Sequence, residues 1–334
     1  MDSSFHNSAP FGRANFLAID VHDLFGSQGP GAPRIEPRRM STDHGGNVTT
    51  SVLVNTFNHE RFIEECIDSL LVQTVLPHEI IVHDDGSTDN TVPLLRRYGS
   101  RIKLVENPPG SEPAYIRQAR AIERAFAQSS GRLVFVLDGD DRFKRDKVEQ
   151  YVSTFVANSD VALIQSPMDK IDENGRMLGS NVEPRKHVVE HLKEIYRHQD
   201  VDFYYPSSAL AFSRAYLECM LPLDLSDGHP LWADTRLSIV APYFGRVITL
   251  PDVLTEWRRH VGSDSVRART RRLQLQQTLM RTRVFNEFCR RYGLRTISPW
   301  RNARFYLQIL RFSLPDTAYA MIHRRVYPRA AYPI

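Results

Sequence analysis

Short β-rich runs alternate with amphipathic helical stripes from about residue 50 onward. The run at 51–55 (SVLVN) predicts a buried strand. Beyond a polar turn, apolar residues follow the i, i+3, i+4, i+7, i+8 spacing of a helix that lays one face on a sheet: Ile63, Cys66, Ile67, Leu70 and Leu71. The folded part of the chain is therefore predicted to begin with a strand followed by a helix that packs on the sheet.

The same alternation continues through the rest of the chain. Further strands are predicted at 79–83, 102–105, 133–137, 161–164 and 246–250. Helices are predicted at 93–98, 115–127, 188–198, 214–221, 232–241, 267–292 and 300–310, and a hairpin turns at 174–175 within 168–180. Such alternation predicts an α/β fold with a mostly parallel central sheet, helices on both faces, and ligands bound at the carboxyl ends of the strands.

The chain divides into three regions by composition. Residues 1–48 carry scattered Pro and Gly without periodicity, which is typical of a mobile extension. Residues 49–265 are expected to form the folded domain, with a first half at 49–160 and a second half at 161–265. Residues 266–334 are expected to form a basic helical C-terminal region.

Composition excludes several classes of protein. With 42% hydrophobic and 25% charged residues over 334 positions, the chain has ordinary globular composition. Its three cysteines form no CxxC pair, which disfavours a disulfide framework or a structural zinc site. No apolar run of about 18 residues is present and the first thirty residues lack a continuous apolar stretch, so we expect a cytoplasmic protein.

Charge is distributed unevenly along the chain. The formal net charge is +4, but from residue 267 onward there are fifteen Arg, no Lys and two acids, giving +13 there and −9 before it. One interpretation is a tail that docks on anionic lipid headgroups at the cytoplasmic face of a membrane. The alternative is an arginine-rich helix that forms ion pairs with the acidic body. Nucleic acid is not an expected partner, because no module with interleaved stacking aromatics is present.

Two acidic clusters follow two of the predicted strands. The first is 84–89 (DDGSTD) and the second is 138–141 (DGDD). Three carboxylates in four residues repel one another unless a hard cation such as Mg²⁺ or Mn²⁺ binds them, commonly together with substrate phosphates. The alternative is that these residues cap turns and helices. A carboxylate at 84 or 85 is also a good acceptor for the imide N–H of uracil or for a ribose hydroxyl.

At these motifs the chain resembles a known family. Residues 51–91 (SVLVNTFNHERFIEECIDSLLVQTVLPHEIIVHDDGSTDNT) resemble the opening of the inverting family 2 glycosyltransferases, and residues 131–141 (GRLVFVLDGDD) resemble their DxD segment. The resemblance implies a GT-A fold, which is Rossmann-like. It also implies that Asn55 and Phe57 contact the nucleotide and that Asp85 reads the uracil.

The resemblance further implies a metal and diphosphate site. Asp138 and Asp140 match the residues that hold the donor, and Asp140 and Asp141 those that hold the Mg²⁺ or Mn²⁺. In many relatives an Arg-Asn pair precedes the DxD strand. Here the segment 116–120 reads IRQAR, which leaves Arg117 as the candidate donor ligand, with Arg120 as the alternative.

The second half supplies the remaining candidates by the same resemblance. Inversion in one displacement requires a carboxylate that takes the proton of the acceptor hydroxyl. The segment 232–237 (WADTRL) resembles the family's base segment and makes Asp234 the candidate, with Asp227 as the fallback. The segment 257–263 (WRRHVGS) resembles a segment whose His approaches the metal or diphosphate, so His260 is a candidate metal ligand and Arg258 a candidate phosphate partner.

These residues together imply a metal-dependent inverting glycosyltransferase. It would move a sugar from a nucleoside diphosphate sugar, with a UDP-sugar favoured, to a hydroxyl of a glycan or lipid-linked acceptor. Two alternatives remain open: a nucleotidyltransferase that makes nucleotide sugars, although no Gly-rich phosphate loop is present, and an inactive scaffold that binds through its basic tail.

Overall fold

Seven strands form the central sheet. The computed structural model describes residues 48–108, 110–158, 160–263, 271–302, 305–307 and 309–310. The strands are β1 (Thr50–Thr56), β2 (Glu79–Asp84), β3 (Lys103–Glu106), β4 (Leu133–Asp138), β6 (Val161–Gln165), β9 (Leu210–Ser213) and β10 (Arg246–Thr249), in the spatial order β10-β6-β9-β4-β1-β2-β3. All their pairings are parallel except those of β9 with β4 and β6.

Helices cover both faces of this sheet. They are α1 (Ile63–Leu71), α2 (Thr91–Arg96), α3 (Ala114–Ala127), α4 (Lys147–Ala157), α5 (His191–His198), α6 (Arg214–Met220), α7 (Ala233–Val240) and α8 (Arg271–Arg291). The apolar faces of α1 and α4 pack on one side of β1 and β4, and those of α3, α6 and α7 pack on the other. Both central strands are buried on both faces, as expected of parallel strands. The predicted α/β fold is confirmed.

A small second sheet closes one end of the central sheet. It consists of β5 (Arg142–Phe143), β11 (Thr255–Arg259), β7 (Met168–Asp172) and β8 (Met177–Asn181), in that spatial order. The β7–β8 pair is the hairpin predicted around 174–175. Arg142 ties this sheet to α1, because its guanidinium donates to Glu256 and, at 2.7 Å, to Glu65.

Helix α8 packs on α7 and is part of a third apolar cluster, in which Val284 and Phe285 meet Ile239 and Val240. Two of its arginines form ion pairs with the acidic body, Arg281 with Asp202 at 2.8 Å and Arg291 with Asp224 at 2.6 Å. These pairs agree with the second interpretation of the basic region. The predicted mobile extension at 1–48 lies outside the described residues except for residue 48, and so does the end of the basic region at 311–334.

Strand β9 and the short strands β5 and β11 were not predicted from the sequence. β9 and β5 have only four and two residues, too few to show a period, and they form because neighbouring strands offer their backbone groups. Within the described ranges, no helix has the length and apolarity needed to cross a membrane.

Candidate active site

The two acidic clusters meet at the end of one strand. The N–H of Asp85, just after β2, donates to the carbonyl oxygen of Thr56 at 2.9 Å. The N–H of Gly139, just after β4, donates to the carbonyl oxygen of Asn55 at 2.9 Å. Because β2 and β4 flank β1 on opposite sides, both clusters converge on the carboxyl end of β1.

Asp84 and Asp85 have different environments. The Asp84 carboxylate is buried and accepts hydrogen bonds from the N–H groups of Gly86 at 3.0 Å and Ser87 at 2.8 Å. Gly86 adopts a φ of 81°, which a side chain disfavours, so the turn folds tightly around this carboxylate. Asp84 therefore shapes the loop, whereas Asp85 pairs with Arg117 of α3.

Asp85, Arg117 and Phe57 form a cluster beside that loop. Arg117 Nε lies 3.2 Å from Asp85 Oδ2, and the guanidinium carbon lies 4.6 Å from the centre of the Phe57 ring. Burial raises the pKa of the Asp85 carboxyl, and the charge of Arg117 opposes this effect. Three residues assigned to the nucleotide are thus in direct contact, with a partly exposed aromatic ring on which a base can stack.

Asp140 lies between two histidines. Its Oδ2 is 3.1 Å from His260 Nε2, and both side chains are 13% exposed. Burial opposes ionisation of Asp140, but the His260 hydrogen bond and the charges of His59 and His260 hold its pKa below the usual value. Burial lowers the pKa of His59, against the attraction of Asp140. The two rings are 6.5 Å apart, so the three side chains form one polar cluster.

The glycine of the DGDD segment is required by close packing. A Cβ at Gly139 would lie 2.8 Å from His59 Nδ1 and from Thr56 Oγ1. The backbone can therefore pass the end of β1 only without a side chain here.

Asp141 and Arg258 are both buried at the DGDD segment. Asp141 is 2% exposed, and its Oδ1 accepts a hydrogen bond from the Arg258 N–H at 2.8 Å. Burial, with the nearby charges of Asp140 and Asp138, raises the pKa of Asp141 well above its usual value. The Arg258 side chain is fully enclosed and donates to Glu65 at 2.6 Å and to the carbonyl oxygen of Asp140 at 2.8 Å. Both residues therefore hold the DGDD segment in place through hydrogen bonds.

Asp234 lies in the first turn of α7. Its Oδ2 accepts from both the N–H and the hydroxyl of Ser207 at 3.1 Å, and its Oδ1 accepts from the Thr235 N–H at 2.7 Å. Burial raises the pKa of this carboxyl despite those hydrogen bonds and the charge of Arg281. A carboxylate with a raised pKa is a stronger proton acceptor, as a general base requires.

Asp227, the fallback, is held in a different state. Its two oxygens each lie 2.7 Å from a guanidinium nitrogen of Arg236, which is 5% exposed. Burial works against ionisation, but the pair with Arg236 keeps the pKa of Asp227 below its usual value. A bidentate ion pair of this kind lowers basicity. The geometry favours Asp234 over Asp227.

Two adjacent serines connect the candidate base to the DGDD segment. Ser207 binds Asp234, as described above, and Ser208 Oγ accepts the Asp138 N–H at 3.1 Å. Gln118 of α3 adds a second link, since its side-chain oxygen accepts the Ala233 N–H at 3.1 Å. The ends of β4 and α7 therefore face each other across one short stretch of chain.

Several residues of this site were not assigned from the sequence. His59 stands in a polar turn, Glu65 on an exposed helix edge, and Lys147 in α4; Gln118 was noted only as a departure from the family's Arg-Asn pair. Lys147 is fully buried and donates to the Ser208 carbonyl oxygen and, at 2.8 Å, to Thr255 Oγ1. A lysine six residues after an acidic cluster is a signal that a search of the sequence for charge near the site would find.

The described residues contain no group of three or more His, Cys, Asp or Glu side chains arranged to hold a metal. Mg²⁺ and Mn²⁺ sites that bind phosphate-bearing substrates commonly take one or two carboxylates and complete their shell with the phosphates and water. Asp140 with His260, next to Asp138, supplies hard oxygen and imidazole donors of that kind. The residues present therefore fit such a cation.

Known proteins resemble this chain in sequence. The family model described as Glycosyl transferase family 2 matches residues 51–221, just over half of the chain. A Nostoc protein named uncharacterized glycosyltransferase alr2836 is 29% identical over 223 residues, which cover 65% of this chain and 67% of that protein. WfgD of Escherichia coli, named UDP-Glc:alpha-D-GlcNAc-diphosphoundecaprenol beta-1,3-glucosyltransferase, is 32% identical over 137 residues, 41% of this chain and 51% of that protein.

A solved structure shows the same fold. The crystal structure of S. aureus TarS aligns with a TM-score of 0.51 at 19% identity, covering 73% of this chain and 43% of that one. At 19% identity the similarity is evidence for the fold alone. It confirms the GT-A architecture expected from the sequence. The residues that the family model matches include 51–56 of β1, the two acidic clusters, and Ser207 and Ser208. The chain belongs to glycosyl transferase family 2, a family of sugar-transferring enzymes.

Proposed function

We propose that this chain is a metal-dependent inverting glycosyltransferase that moves a sugar from a nucleoside diphosphate sugar to an acceptor hydroxyl. The observation that carries the proposal is the contact between the two halves. Ser207 and Ser208 bind Asp234 and the Asp138 backbone respectively, so a candidate base faces a candidate diphosphate site. A single displacement needs this opposition of acceptor and leaving group.

The nucleoside would bind at the ends of β1 and β2. The Asp85 carboxylate would accept the imide N–H of uracil, and the exposed face of Phe57 would stack on the base. Arg117, already paired with Asp85, would orient that carboxylate and reach the donor, while Asn55 lies at the adjacent strand end. A UDP-sugar is favoured, in keeping with the donor named for the WfgD relative.

The diphosphate would bind at the DGDD segment. Asp138 and Asp140, with His260, are the side chains we assign to Mg²⁺ or Mn²⁺, which when bound would neutralise the charge that develops on the departing diphosphate. We assign Asp141 and Arg258 to supporting this loop, because their polar atoms already bind each other, Asp140 and Glu65.

The chemistry at the sugar would follow from the position of Asp234. Its carboxylate takes the proton of the acceptor hydroxyl while that oxygen forms a bond to the anomeric carbon. The bond from the anomeric carbon to the diphosphate oxygen breaks on the opposite face, so the configuration inverts and the nucleoside diphosphate leaves. The raised pKa of Asp234 suits it to this role.

The acceptor is proposed to be a glycan or a lipid-linked saccharide. A peripheral contact of residues 266–334 with anionic lipid remains a prediction, placing the enzyme at the cytoplasmic face of a membrane. Flotation of the full chain with anionic and with neutral vesicles tests it, and equal recovery with both would contradict it.

The test of the function combines binding with transfer. Calorimetric titration of UDP with and without Mn²⁺ measures the donor site, and release of UDP from a panel of nucleotide sugars with saccharide acceptors measures turnover. Asp140→Ala should lose the Mn²⁺-dependent part of binding, whereas Asp234→Asn should bind UDP normally and lose transfer. Asp160→Asn, at an exposed acid just before β6, is the matched control.

Two results would overturn parts of the proposal. Undiminished turnover of Asp140→Ala would remove the metal role. UDP binding without transfer over the whole panel would favour an inactive scaffold, and pyrophosphate release from a nucleoside triphosphate would favour a nucleotidyltransferase.

A further inference from the structure

The turn that follows β1, residues 57–60, contains a residue with an unusual backbone conformation. Among the described residues, two that are not glycine have a left-handed backbone, Asn58 with a φ of 55° and Gln199 with a φ of 54°. Side chains disfavour this region, and it persists where surrounding contacts fix it, often at binding sites. Asn58 directly follows Phe57, the residue on which the base is proposed to stack. We refer to residues 57–60 as the β1 turn.

Asn58 is held by the segment that follows β2, residues 85–91, which we refer to as the β2 loop. The backbone N–H of Asn58 donates to Ser87 Oγ at 2.8 Å. Its side-chain oxygen accepts the Thr88 N–H, also at 2.8 Å. Both the backbone and the side chain of Asn58 therefore bind the loop that carries the second acidic residue of the nucleotide site.

Further hydrogen bonds join the β1 turn to the β2 loop. The N–H of His59 donates to Thr91 Oγ1 at 2.9 Å, and the N–H of Glu60 donates to Asp89 Oδ2 at 3.1 Å. Like the bonds of Asn58, each of them joins a backbone group of one segment to a side chain of the other. The two segments are therefore held against each other along their length.

Phe57 and Asp85 lie between two points at which these segments are joined. On one side, the Asp85 N–H donates to the carbonyl oxygen of Thr56 at 2.9 Å. On the other side are the two hydrogen bonds of Asn58. Arg117 closes the arrangement, because its guanidinium carbon lies 4.6 Å from the centre of the Phe57 ring and its Nε lies 3.2 Å from Asp85 Oδ2. The ring and the carboxylate assigned to the base are thus held at a fixed separation.

We propose that Asn58 is a positioning residue that holds Phe57 and Asp85 at the spacing that uracil requires, and that it thereby determines the preference for this base. The inference rests on the proposed function, in which the base stacks on Phe57 while its imide N–H donates to Asp85. One flat ring makes both contacts at once. A change in the spacing therefore leaves a base with one contact at the expense of the other.

The experiment compares the binding of UDP and CDP to the full-length protein. Uracil has an N–H at N3, whereas cytosine has a lone pair there, so a carboxylate opposite N3 accepts a hydrogen bond from uracil and none from cytosine. The two nucleotides share the ribose and the diphosphate. The ratio of their dissociation constants, measured by calorimetry with Mn²⁺, therefore reports the contact with Asp85. The wild type should bind UDP about tenfold more tightly than CDP.

Asn58→Gly removes the side-chain acceptor and keeps the left-handed backbone, which glycine adopts without strain, so this variant should fold. Its affinity for UDP should fall about tenfold while its affinity for CDP stays nearly the same, because the contact with the imide N–H is lost. Asn58→Asp keeps an oxygen acceptor, and its added charge acts on both nucleotides alike. This variant should therefore retain the preference for UDP.

Gln199→Gly is the matched control. Gln199 has nearly the same φ as Asn58, and its side-chain oxygen also accepts a backbone N–H, that of Ser298 at 3.0 Å. It lies at the end of α5, outside the β1 turn and the β2 loop. The variant loses the same kind of hydrogen bond at the same kind of backbone position, and it should keep the wild-type ratio of UDP to CDP binding.

The outcomes separate this inference from the proposed function. Loss of the UDP preference in Asn58→Gly, with the preference kept in Asn58→Asp and Gln199→Gly, would support the inference. A wild-type preference in folded Asn58→Gly would overturn it and leave the proposed function intact. Equal binding of UDP and CDP by the wild type would reject the assignment of Asp85 to the base, and with it this inference.

Discussion

Two carboxylates of the second half, Asp227 and Asp234, should respond to the same substitution in opposite ways. Each is replaced by asparagine, which keeps the shape and removes the charge. Asp227→Asn should destabilise the fold and keep the transfer reaction. Asp234→Asn should keep the fold and lose the reaction. The difference arises because Arg236 binds both oxygens of Asp227, whereas Asp234 is bound by the neutral Ser207.

The magnitudes follow from the contacts. Asp227 neutralises the buried Arg236, and removal of one partner of a buried pair costs about 3–5 kcal/mol. Arg236 keeps its bonds to the carbonyl oxygens of Leu231 and His229, which places the expected loss near 3 kcal/mol. That corresponds to a fall in Tm on the order of 5–10 °C. Asp234→Asn should lose about 1 kcal/mol of stability and a factor of about 10²–10⁴ in kcat.

Urea unfolding and UDP release, measured on both variants at the same pH, check these values. Asp224→Asn is the control for the loop itself: it removes an exposed carboxylate that pairs with Arg291, and exposed pairs contribute about 0–1 kcal/mol. Loss of transfer in a stable Asp227→Asn, with turnover retained in Asp234→Asn, would refute the choice of base. It would also show that a bidentate arginine does not suppress basicity here.

Three further substitutions test the packing around the site. Gly139→Ala brings a methyl group to 2.8 Å from His59 Nδ1. It should lower the free energy of unfolding by about 1–3 kcal/mol and weaken Mn²⁺-dependent UDP binding. Wild-type UDP binding of this variant in calorimetry would contradict the expectation. Phe285→Ala should cost about 3–5 kcal/mol in urea unfolding if α8 is an integral part of the fold, and a loss below 1 kcal/mol would argue against it. Glu65→Gln takes the ion-pair partner from the buried Arg258 and should cost about 1.5–3 kcal/mol, whereas an unchanged midpoint would show that the carbonyl oxygens that Arg258 also contacts suffice.

The fold was predictable from the sequence because its central part is periodic. The apolar stripe of α1 and the doubly buried runs of β1 and β4 each carry a pattern that admits one interpretation, and all three are confirmed. The strand β9 was not predicted, since its four residues follow a stretch of serine and alanine and its pairing with β4 and β6 depends on distant backbone.

The candidate site was predictable at the level of segments and less so at the level of side chains. The sequence places four residues, 138–141, at the end of one strand. Three of them are acids, and no pattern tells which carboxylate is buried in the protein. The direction of Asp141 depends on the Arg258 N–H, which lies 117 positions away. The same holds for Arg258, whose position suggested phosphate and whose guanidinium meets Glu65 of α1, a contact that no local pattern encodes.

Contacts from Ser207 and Gln118 hold Asp234 in place where this chain departs from the segment that it resembles. Asp234 keeps its orientation although alanine stands before it, because Oδ2 is fixed by Ser207 and the helix start is fixed by Gln118 through the Ala233 N–H. Gln118 of α3 therefore anchors the start of α7 from outside that helix. The position of the candidate base depends on three elements that converge: β4, through Ser208, and the helices α3 and α7. The local segment around Asp234 does not fix its position alone. The local motif already ranks Asp234 above Asp227, and the different partners of the two carboxylates support that order on physical grounds.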